Sequence, residues 1–404
     1  MTYGVFQKRE GLAGRTILQI IPELGTGGAE RTTIDIAAAL AEAGARPLVA
    51  CEGGRLISDL QAVGGIWIPF PAKTKNPFKM AFNVLRLKRL IAQEGVDLVH
   101  ARSRAPAWVA FGAVRNSSIP FVTTYHGSYS GRSALKIRYN SVMARGDVVI
   151  ANSFFTSERI VEMHPFAQDR IEVIHRGADF RQFSPANVSA QRVQALRAQW
   201  KIQPDERVVL LAARLTGWKG QRVLIDAAKI LSEQGLTHTR FILAGDDQGR
   251  KAYSAELDRA IEAAGLVGIV ERVGHCRDIA AAYMSAAVVT VPSIEPEAFG
   301  RAAVEAQAMG VPVVVTNLGA VPETVLAPPM VKDEARTGWH VAVNDAPALA
   351  SAIKAALELG ASARSDLAYR ARAHVESQFS LEQMCRKTLD VYSHLLNPDY
   401  LDEL

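Results

Sequence analysis

The sequence is poor in cysteine and has no long apolar run. Its 404 residues include three cysteines, Cys51, Cys276 and Cys385, which are odd in number and far apart. This pattern argues against a disulfide framework or a cysteine metal cluster and fits a reducing compartment. No apolar run approaches the roughly 18–20 residues that a membrane-spanning helix needs, and the polar N-terminus lacks the apolar region of a signal peptide. We therefore expect a cytoplasmic protein.

The charges show no strong excess of either sign. The chain carries 46 Lys and Arg against 41 Asp and Glu, a formal net charge of +5, with a sequence pI of about 9.1. This mild excess favours anionic partners such as nucleotide phosphates or acidic lipids. Nucleic acid is not expected as a partner, because no nucleic-acid-binding motif accompanies the charge. The length and the 49% hydrophobic content predict two domains rather than one.

Short apolar segments alternate with helical stretches along the chain. In the first half the predicted strands cover residues 16–21, 46–50, 97–100, 121–124 and 148–151. In the second half they cover residues 208–212, 241–245, 269–273, 288–291, 311–316 and 340–343. Continuous apolar strands of this kind are typical of parallel sheets covered by helices on both faces. The predicted fold class is α/β, with two doubly wound, Rossmann-like domains.

The alternation is interrupted once, between residues 184 and 205. Pro185 and Pro204 flank a polar helical stretch in this region. We therefore predict a first domain over residues 1–190 and a second over residues 191–380, followed by a C-terminal helical segment over residues 381–404.

The most informative stretch runs from residue 293 to residue 323. It contains two carboxylates, Glu297 and Glu305, on either side of a predicted helix start at Phe299 and Gly300. The first amides of a helix are unpaired and bind hydroxyls or phosphates. Glu305 lies roughly 7 Å further along the axis, and its side chain leans back toward the start. Carboxylates accept hydrogen bonds from vicinal hydroxyls, whereas an isolated Glu pair usually means two solvated acids.

Two cations follow the first predicted strand of the second domain. Arg214 and Lys219 lie in the loop 213–220, immediately before a predicted helix from Gln221. The carboxyl end of a parallel strand is where phosphate ligands bind in such folds, so these cations are placed to neutralise a diphosphate. The alternative is a solvated basic loop.

A glycine-rich loop follows the first predicted strand of the chain. Gly27 and Gly28 let the backbone approach a phosphate at a helix N-terminus. The same loop resembles a dinucleotide-binding fingerprint, with Glu52 after the second strand as a ribose-binding acid. However, Glu30 stands where that fingerprint needs a third glycine.

Two histidines end predicted strands of the first domain. His126 precedes Gly127, and His100 precedes Arg102 by two positions. A lone histidine is more often structural than functional, but a strand's carboxyl end in this fold favours a role at a site. His100 and Arg102 are expected to line the acceptor side.

Together these motifs resemble the retaining glycosyltransferases of family 4, and the resemblance extends over essentially the whole chain. It is carried by Glu-Ala-Phe-Gly at residues 297–300 with Glu305, by Gly-Gly-Ala-Glu at residues 27–30, and by an Arg-Leu-x-x-x-Lys-Gly loop in which Ala213 replaces the first glycine. Arg176 departs from the asparagine that is usual in the family's Asn-Gly-Val-Asp motif. The resemblance implies the GT-B fold, in which two Rossmann-like domains face a central cleft and the last helix crosses back to the first domain.

The resemblance also implies an activity, the transfer of a sugar from a nucleotide-diphosphate sugar to a hydroxyl of a glycan or lipid-linked acceptor, with retention of configuration. Bacterial lipopolysaccharide or surface polysaccharide is the expected product. No Asp-x-Asp occurs in the sequence, and the fold implies no metal and no cofactor beyond the nucleotide-sugar co-substrate.

The implied residue roles fall into three groups. Glu305 holds the ribose; Glu297, His126, Phe299 and Gly300 face the transferred sugar; Arg214, Lys219, Gly27 and Gly28 stabilise the leaving diphosphate.

Two basic stretches of the first domain, residues 79–89 and 132–145, interleave cations with apolar residues at helical spacing. Each is either a solvated helix with an apolar core face or a docking site for an anionic membrane. Three other functions stay open from the sequence. They are a nucleotide-sugar hydrolase or epimerase, a nicotinamide-dependent oxidoreductase, and a non-catalytic sugar-nucleotide sensor.

Overall fold

A computed structural model describes residues 11–25, 27–127 and 133–397. Within these residues the chain divides into two compact units. The first contains residues 11–177 together with residues 381–397, and the second contains residues 178–380.

The first unit is built on a seven-stranded parallel sheet. Its strands are β1 (Thr16–Ile20), β2 (Arg46–Cys51), β3 (Ile66–Pro69), β4 (Leu98–Ala101), β5 (Phe121–Tyr125), β6 (Val148–Ala151) and β7 (Ile171–Val173). They lie in the order β3-β2-β1-β4-β5-β6-β7. Its helices are α1 (Gly28–Glu42), α2 (Ile57–Ala62), α3 (Pro77–Glu94), α4 (Arg104–Val114), α5 (Ala134–Asn140), α6 (Phe154–Met163) and, from the end of the chain, α15 (Leu381–Leu396).

The second unit is built on a six-stranded parallel sheet. Its strands are β8 (Arg207–Ala212), β9 (Thr239–Ala244), β10 (Val270–Gly274), β11 (Val288–Val291), β12 (Val313–Thr316) and β13 (Trp339–Val341). They lie in the order β10-β9-β8-β11-β12-β13. Its helices are α7 (Ala190–Gln199), α8 (Gln221–Glu233), α9 (Lys251–Ala263), α10 (Ile279–Ser285), α11 (Arg301–Ala308), α12 (Val321–Thr324), α13 (Ala346–Leu357) and α14 (Ala361–Gln378).

The central strands are buried on both faces. In β11 and β12 every residue is buried. Successive residues point to opposite faces of a strand, and Val313 and Val314 accordingly pack into two different apolar clusters. In the first sheet, Leu18 and Ile17 of β1 likewise pack into two different apolar clusters. Each sheet is therefore covered by helices on both sides, and the predicted α/β class with two doubly wound parallel sheets is confirmed.

The second unit begins earlier than the predicted boundary at residue 190. The peptide N–H of Ala178 donates to the Phe379 carbonyl at 2.8 Å, and the side chains of Phe183 and Val188 are buried in the second unit's core. The ring of Phe183 packs against that of Tyr283, with centroids 6.1 Å apart. These apolar contacts assign residues 178–190 to the second unit, although the sequence there resembles a linker.

The C-terminal helix predicted over residues 381–404 is observed as α15, which begins at the predicted residue and ends at Leu396, while residues 398–404 lie outside the described residues. α14 belongs to the second unit, whereas α15 belongs to the first. The buried face of α15 includes Leu381, Leu389 and Tyr392, which pack with Ile36 of α1. Among the described residues, no helix is both long and apolar enough to cross a membrane.

Candidate active site

The strand order of the second unit reverses between β8 and β11. The chain runs outward from β8 in one direction through β9 and β10, then returns to β11 on the other side. In open parallel sheets this switch point leaves a crevice at the carboxyl ends of the two central strands, where ligands bind. The loops that follow β8 and β11 cover residues 213–220 and 292–300, and they contain most of the residues that the sequence singles out.

These two loops pack closely against each other. Gly220 has a φ of +73°, and a Cβ there would lie 1.8 Å from the Pro292 carbonyl oxygen. Only glycine fits at this position, since a side chain would meet backbone as well as an unfavourable conformation. The peptide N–H of Ile294 donates to the Trp218 carbonyl at 2.8 Å, which fixes the loops to each other.

A partly buried ion pair joins the two loops. Lys219 Nζ lies 2.7 Å from Glu297 Oε1, and the two side chains are only 16% and 10% exposed. The Ser293 hydroxyl donates to the same carboxylate oxygen. The ammonium also lies 4.3 Å from the ring centroid of Trp218, at cation–π distance. The alternative of a solvated basic loop is therefore wrong for Lys219, whose ammonium contacts both Glu297 and Trp218.

Arg214 differs from Lys219 in its surroundings. Its side chain is exposed, and Nη1 lies 3.5 Å from Gln248 Oε1. Its backbone is fixed by Gln221, whose side-chain amide donates to the Arg214 carbonyl at 2.9 Å. Tyr253 in turn donates its hydroxyl to Gln221 at 3.1 Å, and burial raises the pKa of Tyr253 to about 12, so the hydroxyl keeps its proton. The loop is rigid while the guanidinium reaches into solvent.

The helix after β11 begins later than the sequence predicts. It starts at Arg301, with Gly300 as its N-cap at a φ of +86°, and no side chain caps this terminus. Phe299 is buried in the core, edge-on to Phe379 with centroids 5.4 Å apart. Phe299 therefore anchors the loop, and only its backbone can meet a ligand at the helix start.

Glu305 lies on this helix with its carboxylate buried and a donor on each of its two oxygens. Tyr283 donates its hydroxyl to Oε2 at 3.0 Å, and the Arg301 guanidinium lies 2.8 Å from Oε1. Burial and the neighbouring Glu305 carboxylate raise the pKa of Tyr283 well above its usual value, so Tyr283 remains a donor. The structure thus presents Glu305 as a positioned acceptor rather than as a solvated acid.

The turn that ends the motif packs against the same loop. Gly319, at a φ of +67°, approaches the Glu297 backbone so closely that a Cβ would lie 2.6 Å from its carbonyl oxygen. Ala320 donates its N–H to that oxygen at 2.9 Å. Glu297 is therefore fixed through its backbone as well as through its side chain, which explains the spacing between the Glu-rich segment and the Gly-Ala turn.

In the first unit, the glycine loop leads directly into α1. Gly27 is the N-cap and Gly28 the first helical residue, with no side-chain cap on the helix. The carboxylate of Glu30 folds back over the loop, and a Cβ on Gly27 would lie 2.3 Å from Glu30 Oε2. A phosphate that approaches these amides would meet that negative charge.

His126 lies at the carboxyl end of β5, beside Arg176. Arg176 Nη2 lies 3.1 Å from His126 Nδ1 and 3.0 Å from the His126 carbonyl oxygen. His126 Nε2 is buried and makes no hydrogen bond to any residue that the structure describes. Burial, with the charges of Arg176 and Arg102, lowers the pKa of His126 well below its usual value, so the ring is neutral.

His100 and Arg102 do not line a surface as the sequence suggests. His100 is fully buried, between the hydroxyls of Tyr392 on α15 and Thr124 on β5. Arg102 is 3% exposed, and its Nε donates to Gln19 at 2.8 Å. Both belong to a polar network inside the first unit, so the expected acceptor-side role is wrong for them.

Sequence reasoning missed several residues that build the site. Each of three residues forms a hydrogen bond to a predicted site residue, and no motif of the sequence marks them: Tyr283, Ser293 and Gln221. Trp218 was a recognisable signal, because a tryptophan adjacent to a lysine in a ligand loop is placed for a cation–π contact.

Comparison with known proteins agrees with this fold and identifies the family of the chain. The family model Glycosyltransferase Family 4 matches residues 26–182, and the model Glycosyl transferases group 1 matches residues 193–374. A solved glycosyltransferase from Rickettsia africae ESF-5 is 33% identical, with a TM-score of 0.86 over 95% of this chain and 99% of that one. The chain belongs to glycosyltransferase family 4. As a family 4 protein with two doubly wound parallel-sheet units, it has the GT-B fold. Its membership of this family argues against the alternative of a nicotinamide-dependent oxidoreductase.

Other relatives of this family 4 glycosyltransferase are more distant. Anabaena Alr3699/HepE, solved in complex with UDP-glucose, is 26% identical, with a TM-score of 0.79 over 94% of this chain and 99% of that chain. The D-inositol 3-phosphate glycosyltransferase of Mycolicibacterium gilvum (strain PYR-GCK) is 29% identical over 76% of this chain and 70% of its own length. The protein of the same name from Mycobacterium sp. (strain JLS) is 30% identical over 57% of this chain, and the match spans about half of that relative, 53%.

Proposed function

We propose that this glycosyltransferase moves a sugar from a nucleotide-diphosphate sugar to an acceptor hydroxyl, and that the donor binds at the switch point of the second unit. The observation that carries the proposal is the Lys219–Glu297 pair, fixed between two interlocked loops at the carboxyl ends of β8 and β11. The UDP-glucose complex of the Anabaena relative supports a nucleotide-sugar donor.

Lys219 and Arg214 are the proposed ligands of the leaving diphosphate. An ammonium has three donors, and the described contacts of Lys219 use one hydrogen bond to Glu297 and one face toward Trp218. A donor therefore remains for a phosphate oxygen, at a fixed position. Preorganised donors of this kind are worth roughly 10²–10³ in rate, because charge accumulates on the diphosphate as the bond to the sugar breaks.

Glu305 is the proposed ligand of the ribose hydroxyls. Tyr283 fixes one carboxylate oxygen from the buried side, and Arg301, whose side chain is 49% exposed, reaches the other oxygen from solvent. Each carboxylate oxygen has two lone-pair sites, so ribose hydroxyls can bind with Tyr283 in place. The backbone at Phe299 and Gly300, where no side chain caps the helix, is the proposed contact for the sugar.

The reaction is proposed to retain configuration without an enzymic nucleophile. Glu297 Oε1 accepts from both Ser293 and Lys219, which lowers its power to attack a sugar and suits it to orient one. In this mechanism the acceptor hydroxyl attacks from the face that the diphosphate leaves, and a diphosphate oxygen takes its proton. We also propose that no metal is needed, which full activity in the presence of EDTA would support and loss of activity would contradict.

The first unit is proposed to contribute His126 as a donor to a substrate hydroxyl, and Gly27 and Gly28 as contacts for phosphate. For the glycine loop to act, the Glu30 carboxylate must move away from Gly27. Glu30→Gln would then tighten binding of a nucleoside diphosphate, whereas unchanged affinity would remove the glycine loop from the phosphate site.

The proposed acceptor is a glycan or a lipid-linked glycan of a bacterial surface polysaccharide or lipopolysaccharide, with α3 in contact with an anionic membrane. α3 presents an apolar stripe to solvent, since Phe78, Phe82 and Leu85 are 87%, 61% and 55% exposed. These residues recur at helical spacing and alternate with Lys79 and Arg86. Basic helices with exposed aromatic residues bind anionic interfaces. Phe78→Ser with Phe82→Ser would abolish sedimentation with phosphatidylglycerol vesicles, and unchanged sedimentation would refute membrane contact.

The test of donor binding compares two glutamates of the same region. Calorimetry with UDP, GDP and ADP identifies the nucleotide, and Glu305→Gln then weakens its binding about tenfold or more, the loss of one to two hydrogen bonds to a charged group. Glu295→Gln is the matched control, because Glu295 is exposed in the loop before α11. Equal affinities of the two variants would remove Glu305 from the ribose site. Consumption of the sugar donor without any acceptor would instead indicate a hydrolase or an epimerase.

A further inference from the structure

The contact between Arg176 and His126 fixes the tautomer of the histidine ring as well as its position. A single guanidinium nitrogen, Nη2, lies within hydrogen-bond distance of both the Nδ1 atom and the carbonyl oxygen of His126. That nitrogen has two N–H bonds, one for each acceptor. Arginine only donates, so Nδ1 must accept, and the proton of a neutral imidazole is then on Nε2.

We infer that Arg176 is a positioning residue that holds His126 in the Nε2–H tautomer, so that this N–H can donate a hydrogen bond to an acceptor atom of the substrate. The inference rests on the proposed function only for the identity of the substrate group that accepts this hydrogen bond. Its structural basis is that His126 Nε2 is buried and has no hydrogen-bond partner among the residues that the structure describes. A buried donor without a partner is costly, and such groups occur where a ligand completes the hydrogen bond.

The charges around His126 act in the same direction as this hydrogen bond. Arg176 follows β7, Arg102 follows β4, and His100 lies within β4 beside Arg102. Positive charge from the two arginines, added to burial, disfavours protonation of His126. His100 is itself neutral, because its pKa is lowered well below the usual value by burial first and then by Arg102. Arg176 therefore determines which nitrogen carries the proton, and its charge adds to burial in keeping the ring neutral.

The first experiment reads the tautomer directly, without substrate. In protein labelled with ¹⁵N-histidine, the ring shifts of His126 are followed by NMR from pH 5.5 to 8, with His126→Gln for assignment. We expect the wild-type ring to stay neutral and Nε2-protonated throughout. Arg176→Ala removes the donor to Nδ1 and is expected to let the tautomer protonated on Nδ1 appear, whereas Arg159→Ala, at an exposed arginine on α6, changes nothing. A wild-type ring protonated on Nδ1, or an Arg176→Ala spectrum like that of the wild type, would overturn the inference.

The second experiment asks whether Arg176 acts through His126. Arg176→Ala is expected to lower kcat/KM about tenfold at pH 7.5 and further at pH 6, and Arg176→Lys, which keeps a charged donor, to restore part of it. In a His126→Ala background, Arg176→Ala should have no further effect, because residues that act as a unit are not additive. Additive losses would mean a separate structural role. If the NMR result holds but neither variant affects turnover, the tautomer assignment stands and the proposed role of His126 falls.

Discussion

Replacement of Lys219 by methionine tests the centre of the site. Methionine keeps much of the side-chain length, and with it the contact on Trp218, but removes the charge that pairs with Glu297. Lys219 Nζ and Glu297 Oε1 are 2.7 Å apart, and the two side chains are 16% and 10% exposed. The pair is therefore intermediate between exposed and fully buried ion pairs. Exposed ion pairs contribute about 0–1 kcal/mol, and breaking a buried pair costs about 3–5 kcal/mol. We therefore expect Lys219→Met to lower the free energy of unfolding by about 2 kcal/mol.

The assay is a double-mutant cycle with Glu297→Gln. Each single variant leaves an unpaired partner in a partly buried site, and the double variant leaves none. The cost of the double variant is therefore expected to be about 1–2 kcal/mol less than the sum of the single costs, a coupling within the usual range for residues in contact. Nucleoside diphosphate affinity, measured on the same proteins, is expected to fall about 10- to 100-fold in Lys219→Met, since hydrogen bonds to charged groups are worth about 1.5–3 kcal/mol.

Lys229→Met is the matched control for this cycle. Lys229 lies on α8, half exposed, and pairs loosely with Glu233 at 3.9 Å, so its loss should change the free energy of unfolding by less than about 0.5 kcal/mol. If the costs of Lys219→Met and Glu297→Gln are additive, the ion pair does not hold the loops together. If Lys219→Met also binds the diphosphate like the wild type, the phosphate role of Lys219 is wrong.

Three further results follow from particular contacts. Gly220→Ala should cost more than about 2 kcal/mol in urea unfolding, because it adds strain at positive φ and a collision with Pro292; a cost below 1 kcal/mol would contradict the interlocked loops. Tyr283→Phe should cost about 1.5–3 kcal/mol, the value of a buried hydrogen bond to the charged Glu305, and an unchanged thermal midpoint would show that the bond contributes nothing. Burial lowers the pKa of His100, so this side chain stays neutral in the folded state, while in the unfolded state it gains a proton below about pH 6.5. The free energy of unfolding should therefore decrease as the pH is lowered below that value, by up to about 1.4 kcal/mol per pH unit. The same dependence of stability on pH in His100→Gln would refute this.

The parts of the fold that the sequence shows clearly are those buried on both faces. β11 and β12 are continuous valine-rich runs, and both were predicted within two residues of their observed bounds. The edge strands β3 and β7 were missed because they are short and mostly not buried. A strand at the edge of a sheet is partly open to solvent, so it does not need the continuous apolar run that marks a central strand.

The site follows the same division between backbone pattern and side-chain contact. The loop positions of Lys219 and Glu297, and the position of Glu305 on the following helix, could be predicted from the alternation of strands and helices, because switch-point loops occupy a fixed place in such sheets. The pairing of Lys219 with Glu297 could not be predicted from the sequence, because these residues are 78 positions apart and meet only in the folded unit. The burial of His100 and Arg102 was hidden for a similar reason, because α15, from the far end of the chain, covers them.

The position of α15 has a consequence for the order in which the protein can fold during synthesis. The second unit is one continuous stretch of chain, whereas the first is assembled from residues 11–177 and from a helix that follows the second unit in the sequence. Until Leu389 and Tyr392 leave the ribosome, the apolar surface of α1 around Ile36 lacks its cover, and His100 lacks one of its two hydrogen-bond partners. The unit whose translation begins first is thus completed only after the second unit has been made, so a nascent chain cut before residue 381 would contain all residues of the second unit and a first unit that lacks α15.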